Sequence, residues 1–164
     1  MKQAGTKPID IRESIDQALS NYQLKLKMRK INVVKDIPED IGTFSCDKRY
    51  FVTMLMNLVD NSIYWLDTIY KDDKTILIKA YKAGEVTHII VADNGPGFRD
   101  GVNEIITPFF SRKEGGIGIG MYLIDTIMMK YGKLNIITNN DEASLPATYT
   151  GAIVELIFNK NQTL

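Results

Sequence analysis

Two asparagines four residues apart stand in Leu55-Met56-Asn57-Leu58-Val59-Asp60-Asn61-Ser62. A four-residue step stacks the carboxamides of Asn57 and Asn61 on one helical face. Their neighbours Leu58, Ile63 and Leu66 read as buried. Carboxamide oxygens are hard donors that suit Mg²⁺, an ion that keeps several waters and shares itself with phosphates. On the residues alone, a pair of exposed or capping asparagines is the plainer alternative. Further on, Asp93-Asn94-Gly95-Pro96-Gly97 closes the run Val86 to Ala92. Strand alternation puts Asp93 on the face of Ile89 and Val91. A carboxylate turned toward a core needs a donor, and the exocyclic amine of a purine is one such donor. A turn in which Asp93 caps its own backbone is the other reading. Finally, Gly116, Gly118 and Gly120 precede the apolar run Met121-Tyr122-Leu123-Ile124. This pattern reads as a loop feeding a helix N-terminus, where free N–H groups and the positive dipole end favour phosphate. A nucleotide is the first ligand that these features suggest.

The elements that must position these residues follow from periodicity. Ile9-Asp10-Ile11 reads as a short strand or entry segment. Ile15, Leu19, Tyr22 and Leu26 recur at three- and four-residue steps, which predicts one amphipathic helix from Arg12 to about Met28. Ile31 to Val34 is strand-like and ends at the turn near Pro38. Asp47 is an N-cap candidate for a helix carrying Phe51, Met54, Leu55, Leu58 and Ile63 to about Ile69. Thr75–Tyr81 and Val86–Ala92, joined by Lys82-Ala83-Gly84-Glu85, predict an antiparallel hairpin. A helix from Met121 to Tyr131 is expected to close with Gly132 at C′. Leu134–Thr138 and Gly151–Phe158 are the last strands, joined by the polar stretch 139–150. This order predicts an α+β fold, a two-layer sandwich with a mixed, mostly antiparallel sheet and helices on one face.

The whole chain narrows the function classes. Its 164 residues suffice for one domain with its own core, and residues 1–8 read as a linker or tag remnant. Twenty basic and twenty acidic residues cancel, so no global charge draws the chain to nucleic acid or membrane. No apolar stretch approaches the roughly 20 residues needed to span a bilayer. One cysteine, Cys46, fits a reducing cytoplasm and reads as packed rather than nucleophilic. Lys71-Asp72-Asp73-Lys74 reads as a solvated turn. The single histidine, His88, falls mid-strand on the face opposite Asp93 and reads as an ordinary sheet residue.

Taken in order, Asn57-x-x-x-Asn61, Asp93-x-Gly95-x-Gly97, Thr107-Pro108-Phe109-Phe110-Ser111-Arg112-Lys113 and Gly116-x-Gly118-x-Gly120 resemble the ATP-binding domain of sensor histidine kinases. That domain has the Bergerat fold and belongs to a superfamily shared with type II topoisomerases. The resemblance runs from about Ile9 to Phe158. It implies ATP and Mg²⁺ as ligands, with Asn61 on the metal and Asn57 as its partner amide. It implies that Asp93 accepts a hydrogen bond from adenine, that Gly95 and Gly97 bend around the base, and that Phe109 and Phe110 form the hinge of a lid. Arg112 and Lys113 are then the lid cations, with Lys113 reaching the γ-phosphate. Gly116, Gly118, Gly120 and Met121 lie by the phosphates. The lid, residues 98–115 between the glycine clusters, is expected to be mobile without nucleotide.

Three departures from the pattern accompany these matches. Tyr64 stands where many related kinases carry a lysine or arginine, and Ala152 stands where several place a threonine beside adenine. Asn57 occupies the place of the glutamate base in hydrolytic relatives, and an amide cannot take a proton from water. The implied function is transfer of the ATP γ-phosphoryl to a histidine on a separate dimerisation domain, and from there to a response regulator. An ATP-gated interaction module and a serine kinase of the anti-sigma-factor type are the alternatives.

Overall fold

The computed structural model describes residues 7–138 and 145–159. The chain opens with β1 (Pro8–Asp10), α1 (Ile11–Ser20) and α2 (Gln23–Met28). Next come β2 (Asn32–Asp36), β3 (Thr43–Ser45), α3 (Lys48–Asp67) and the hairpin β4 (Thr75–Ala83) and β5 (Val86–Asp93). A short turn of helix, α4 (Val102–Ile105), precedes α5 (Gly120–Tyr131), β6 (Gly132–Ile137) and β7 (Ile153–Phe158). Five strands form one sheet in the order β2-β4-β5-β7-β6. Only β2–β4 is parallel, because the chain crosses over through α3 between them. The strands β1 and β3 pair separately as a small antiparallel ribbon.

Alternation along the central strands decides which face meets the helices. Ile76, Ile78 and Ala80 of β4 and Ile89 and Val91 of β5 pack beneath α1, α3 and α5. The α3 stripe Phe51, Met54, Leu55, Leu58, Ser62, Leu66 faces this core and is buried throughout. At its base the Phe51 ring meets Phe44 and Phe158 edge-on, with centroids 5.0 and 5.9 Å away. Asp47 caps α3 as expected, its Oδ1 accepting from the Arg49 N–H at 2.9 Å. The Arg49 side chain and backbone bonds together hold the Asp47 carboxyl down to about 2. Burial pushes the neighbouring Cys46 thiol up to about 12, so it is a packed thiol and no nucleophile at neutral pH.

The opposite sheet face carries its own small core. Leu77, Ile90, Ala92, Ile137 and Ile153 lie buried under Tyr149. Farther along this face His88 stacks on Tyr81, with ring centroids 4.5 Å apart and planes at 7°. Its Nδ1 lies 2.8 Å from Glu155 Oε1, and Asn135 donates to the other carboxylate oxygen at 3.1 Å. His88 is therefore a strand residue tied into a polar network on the outer face.

Several local expectations are corrected. The predicted helix from Arg12 to Met28 is two helices, interrupted at Asn21-Tyr22. There Ser20 Oγ and Asn21 Nδ2 both donate to the Gln17 carbonyl, and the Tyr22 N–H bonds to the Leu19 carbonyl at 2.9 Å in a tightened last turn. The Lys71–Lys74 turn is not wholly solvated, since Lys71 Nζ donates to the Asn94 carbonyl at 3.4 Å. Part of the predicted polar connector, residues 139–144, lies outside the described residues. Gly132 ends α5 but begins β6 at once, pairing with Phe158. Its φ is 157°, and a Cβ there would lie 1.9 Å from the Ile157 carbonyl oxygen. We expect Gly132→Ala to destabilise the fold by roughly 2 kcal/mol or more, because backbone must move to admit the methyl. Urea unfolding of the two proteins checks this, and an unchanged midpoint contradicts it.

Candidate functional site

Helix α3 has a second face. Asn57, Asp60, Asn61 and Tyr64, at i, i+3, i+4 and i+7, line up on its side away from the Phe51 stripe. Asn57, Asp60 and Asn61 form one wall of a cleft of about 840 Å³ between α3, the ends of β5 and β7, the lid and the start of α5, and the Tyr64 hydroxyl one turn on meets the lid at Glu114.

Asp93 forms the floor, with only 1% of its surface exposed. Its Oδ1 accepts from the backbone N–H of Gly95 at 2.9 Å and of Ala152 at 3.1 Å, and its Oδ2 accepts from Ser62 Oγ at 2.8 Å. The carboxylate thus caps its own turn, and it also lines the cleft. Burial raises its pKa above the ordinary 3.8, outweighing the lowering by the bonds from Ser62, Gly95 and Ala152. The strand β7 approaches so closely that a Cβ at Gly151 would lie 2.0 Å from Asp93 Oδ1. Asn94 points elsewhere and ties down the chain before β4, accepting from the Thr75 N–H at 2.8 Å and donating to the Asp73 carbonyl at 2.7 Å.

At the far end of the cleft α5 begins at Gly120 with no side-chain cap. Its first N–H groups are left to face the cavity lined by Gly118, Ile119 and Met121. The Asn57 amide donates to the Thr53 carbonyl at 2.9 Å, so its oxygen is the atom turned toward this end. That oxygen would stand 3.0 Å from a Cβ placed on Gly120. Asn61, one turn on, lines the same wall.

The lid closes the third side. Its middle is tied to the glycine segment that follows it by the Phe109 N–H donating to the Gly118 carbonyl at 2.9 Å. This holds Phe109 at φ 65°, a strained value for an aromatic residue, with its ring 76% exposed. Arg112 grips Asp100 through two bonds of 2.6 Å. Lys113 turns inward to Asp60 Oδ2 at 3.5 Å.

The structure thus gathers Asn57, Asn61, Asp93, Gly97, Phe110, Arg112, Lys113, Gly116, Gly118, Gly120 and Met121 around one cavity. Gly95 serves it from behind through its bond to Asp93, and Phe109 points away from it. Sequence reasoning passed over Ser62, although the signal was present. A hydroxyl on the buried stripe of an amphipathic helix must find an acceptor, and here it finds Asp93. Ser62 thereby supplies a side-chain hydroxyl to Asp93 Oδ2, while Ala152 offers only its backbone N–H, to Oδ1. Asp60 and Asp100, which hold the two lid cations, were passed over as well.

The profile of the family described as histidine kinase-, DNA gyrase B-, and HSP90-like ATPase matches residues 46–161. The C4-dicarboxylate transport sensor protein DctB of Rhizobium meliloti is 28% identical over 126 residues, covering 76% of this chain and 20% of the relative. The adaptive-response sensory kinase SasA of Rippkaea orientalis is 27% identical over 132 residues, covering 77% and 33%. The chain thus spans a third or less of these curated relatives. Among solved structures, the catalytic domain of histidine kinase ThkA in a nucleotide-free form superposes with a TM-score of 0.75 at 21% identity, covering 94% of this chain and 95% of that one. A mycobacterial sensor histidine kinase, MprB, gives 0.72 at 19% identity, covering 93% and 96%. The matched residues include α3, the Asp93 floor, the lid and the uncapped start of α5, and the chain belongs to the family of histidine kinase-, DNA gyrase B- and HSP90-like ATPases.

Proposed function

We propose that this domain binds Mg-ATP and is the catalytic part of a sensor histidine kinase, passing the γ-phosphoryl to a histidine on a separate dimerisation domain. The observation that carries the reading is the polarity of one cleft. A buried carboxylate with a free acceptor position lies at one end, and an uncapped helix N-terminus flanked by two carboxamides lies at the other. A purine with an exocyclic amine suits the first and a phosphate chain the second.

The donor set suits magnesium. Asn57 presents its oxygen because its nitrogen is engaged, and Asn61 lies one turn on. With phosphate oxygens and water they make the hard, oxygen-only environment this ion prefers. When bound, the ion would neutralise charge that builds on the phosphates. The protein's own share is positioning, since phosphoryl transfer asks little covalent chemistry of side chains. Asp93 fixes the base, Lys113 offsets phosphate charge, and Asn57 leaves water without a general base. The acceptor imidazole nitrogen then bonds to the γ-phosphorus as the bridging P–O bond breaks and ADP leaves.

Tyr122 and Leu123 of α5, with Ile117 and Ile119 of the glycine segment before it, leave apolar surface exposed at the start of α5, and Met129 adds to it farther along the helix. We assign this surface to the acceptor domain, with a response regulator as the next phosphoryl acceptor. We place this ATP-binding unit in the cytoplasm, where ATP is available. No helix among the described residues is long and apolar enough to cross a membrane.

Three outcomes are expected. Calorimetry should find ATP binding that requires Mg²⁺. Asp93→Asn should weaken that binding by roughly 10- to 100-fold, the worth of a hydrogen bond to a charged group. Second, the affinity of the wild type should fall on acidification at a pH above the 3.8 of an ordinary aspartate, because the raised carboxyl takes up its proton early. At this carboxyl folding stability runs the other way. Between 3.8 and the raised value the folded state holds more protons than the unfolded state, so stability declines as pH rises through that window. Third, radiolabelled ATP with a dimerisation domain that carries an acceptor histidine should label that histidine. ATP bound with label appearing only on serine would favour the serine-kinase alternative.

A further inference from the structure

Helix α3 carries Tyr64 one turn beyond Asp60, on the face that also bears Asn57 and Asn61. The lid touches this pair at three points. The Glu114 N–H donates to the Tyr64 hydroxyl at 2.9 Å. Lys113 Nζ stands over the Tyr64 ring, 5.0 Å from its centroid, and lies 3.5 Å from Asp60 Oδ2. We propose that Tyr64 and Asp60 are positioning residues, a seat on α3 that holds the lid's Lys113 at the phosphate end of the cleft. A cation from the lid thus stands beside α3 at Asp60 and Tyr64, although the helix itself carries none there. The inference rests on the ATP reading above.

The chemistry of the seat suits a cation held on loan. An aromatic face attracts an ammonium group without neutralising it. Asp60 is already shared, because Lys25 of α2 pairs with its other oxygen at 2.9 Å. Lys113 therefore keeps charge that a phosphate can claim, while its stem stays half-buried against α3. Burial lowers its pKa more than Asp60 raises it, the mark of an ammonium that lacks a full counter-charge. Tyr64 contributes in two separable ways, since its hydroxyl fixes the lid backbone at Glu114 and its ring carries the Lys113 head. Arg112 does not share the task, because Asp100 holds it by two bonds on the other side of the lid. The phosphate contact thus depends on lid docking, whereas a helix-borne cation would be present whether or not the lid is down.

Tyr64→Phe, which keeps the ring and removes the hydroxyl, and Tyr64→Leu, which removes both, test the seat by two readouts. Without nucleotide, hydrogen–deuterium exchange across residues 111–116 should quicken in Tyr64→Phe and quicken further in Tyr64→Leu. With Mg²⁺, the affinity for ATP should fall roughly fivefold in Tyr64→Phe, and further in Tyr64→Leu, while that for ADP changes less. Lys113→Ala should lose most of the preference for ATP over ADP, and Lys113→Ala with Tyr64→Arg should recover part of it by returning the cation to the helix. Unchanged lid exchange and an unchanged ATP-to-ADP ratio in both Tyr64 variants overturn the seat. So does an equal loss for both nucleotides with a lowered melting temperature, which would mark a structural role only. If the wild type binds no nucleotide, the ATP reading fails and the positioning role with it, while exchange in the free protein still reports whether the lid is held at Tyr64.

Discussion

A carboxylate with 1% of its surface exposed can persist only where donors surround it, and at Asp93 those donors come from three parts of the chain. Ser62 reaches it from α3, Gly95 from the turn after β5 and Ala152 from the approach to β7. Satisfying this one group therefore sets how α3 lies on the sheet and how closely β7 runs beside β5. It also explains why Gly151 has no side chain, as no atom fits between β7 and the carboxylate. The three bonds leave the carboxylate still drawn toward the neutral form, so a further donor entering the cleft meets an acceptor whose charge is under-compensated. The burial that the fold imposes on this carboxylate is thus also what would favour a donor from a ligand.

Helix α3 joins the two halves of the site. Its apolar stripe anchors it through Phe51 and Leu55, and its polar face presents Asn57, Asp60, Asn61 and Tyr64 in register. The helix thus fixes the spacing between carboxamides, carboxylate and aromatic ring, and the lid adds Lys113 and the Glu114 N–H to that face. The two lid cations are divided between two anchors, Arg112 on Asp100 within the lid and Lys113 on Asp60 of α3.

Residues that work through local chain geometry were legible in the sequence. The four-residue step of Asn57 and Asn61, the alternation that turns Asp93 inward and the glycines before Met121 each follow from a helical or strand period. The N-cap at Asp47 and the β4–β5 hairpin follow from the same rules. What escaped depends on tertiary partners or on competition that periodicity does not register. The break at Asn21 coincides with two side chains bonding one carbonyl, a local competition that apolar spacing does not register. The ribbon β1–β3 pairs segments far apart in sequence and too short to show alternation. Ser62, Asp60 and Asp100 are ordinary residues until Asp93, Lys113 and Arg112 are brought beside them. Tyr64 reads as a lost cation along the chain, and only the fold shows the lid resting on it.

The seamless passage from α5 into β6 bears on how strain is apportioned in this fold. The helix C-terminus is gripped by the sheet at Gly132, and the Asn159 N–H bonds back to the Tyr131 carbonyl at 3.1 Å. With no linker to absorb rotation, α5 is fixed at the sheet edge at one end, and buried Met121 and Ile124 seat its first turns in the core. Its N-terminus at Gly120 is therefore placed by packing alone, without a ligand. The entropy of closing the site then falls on the lid rather than on the helix.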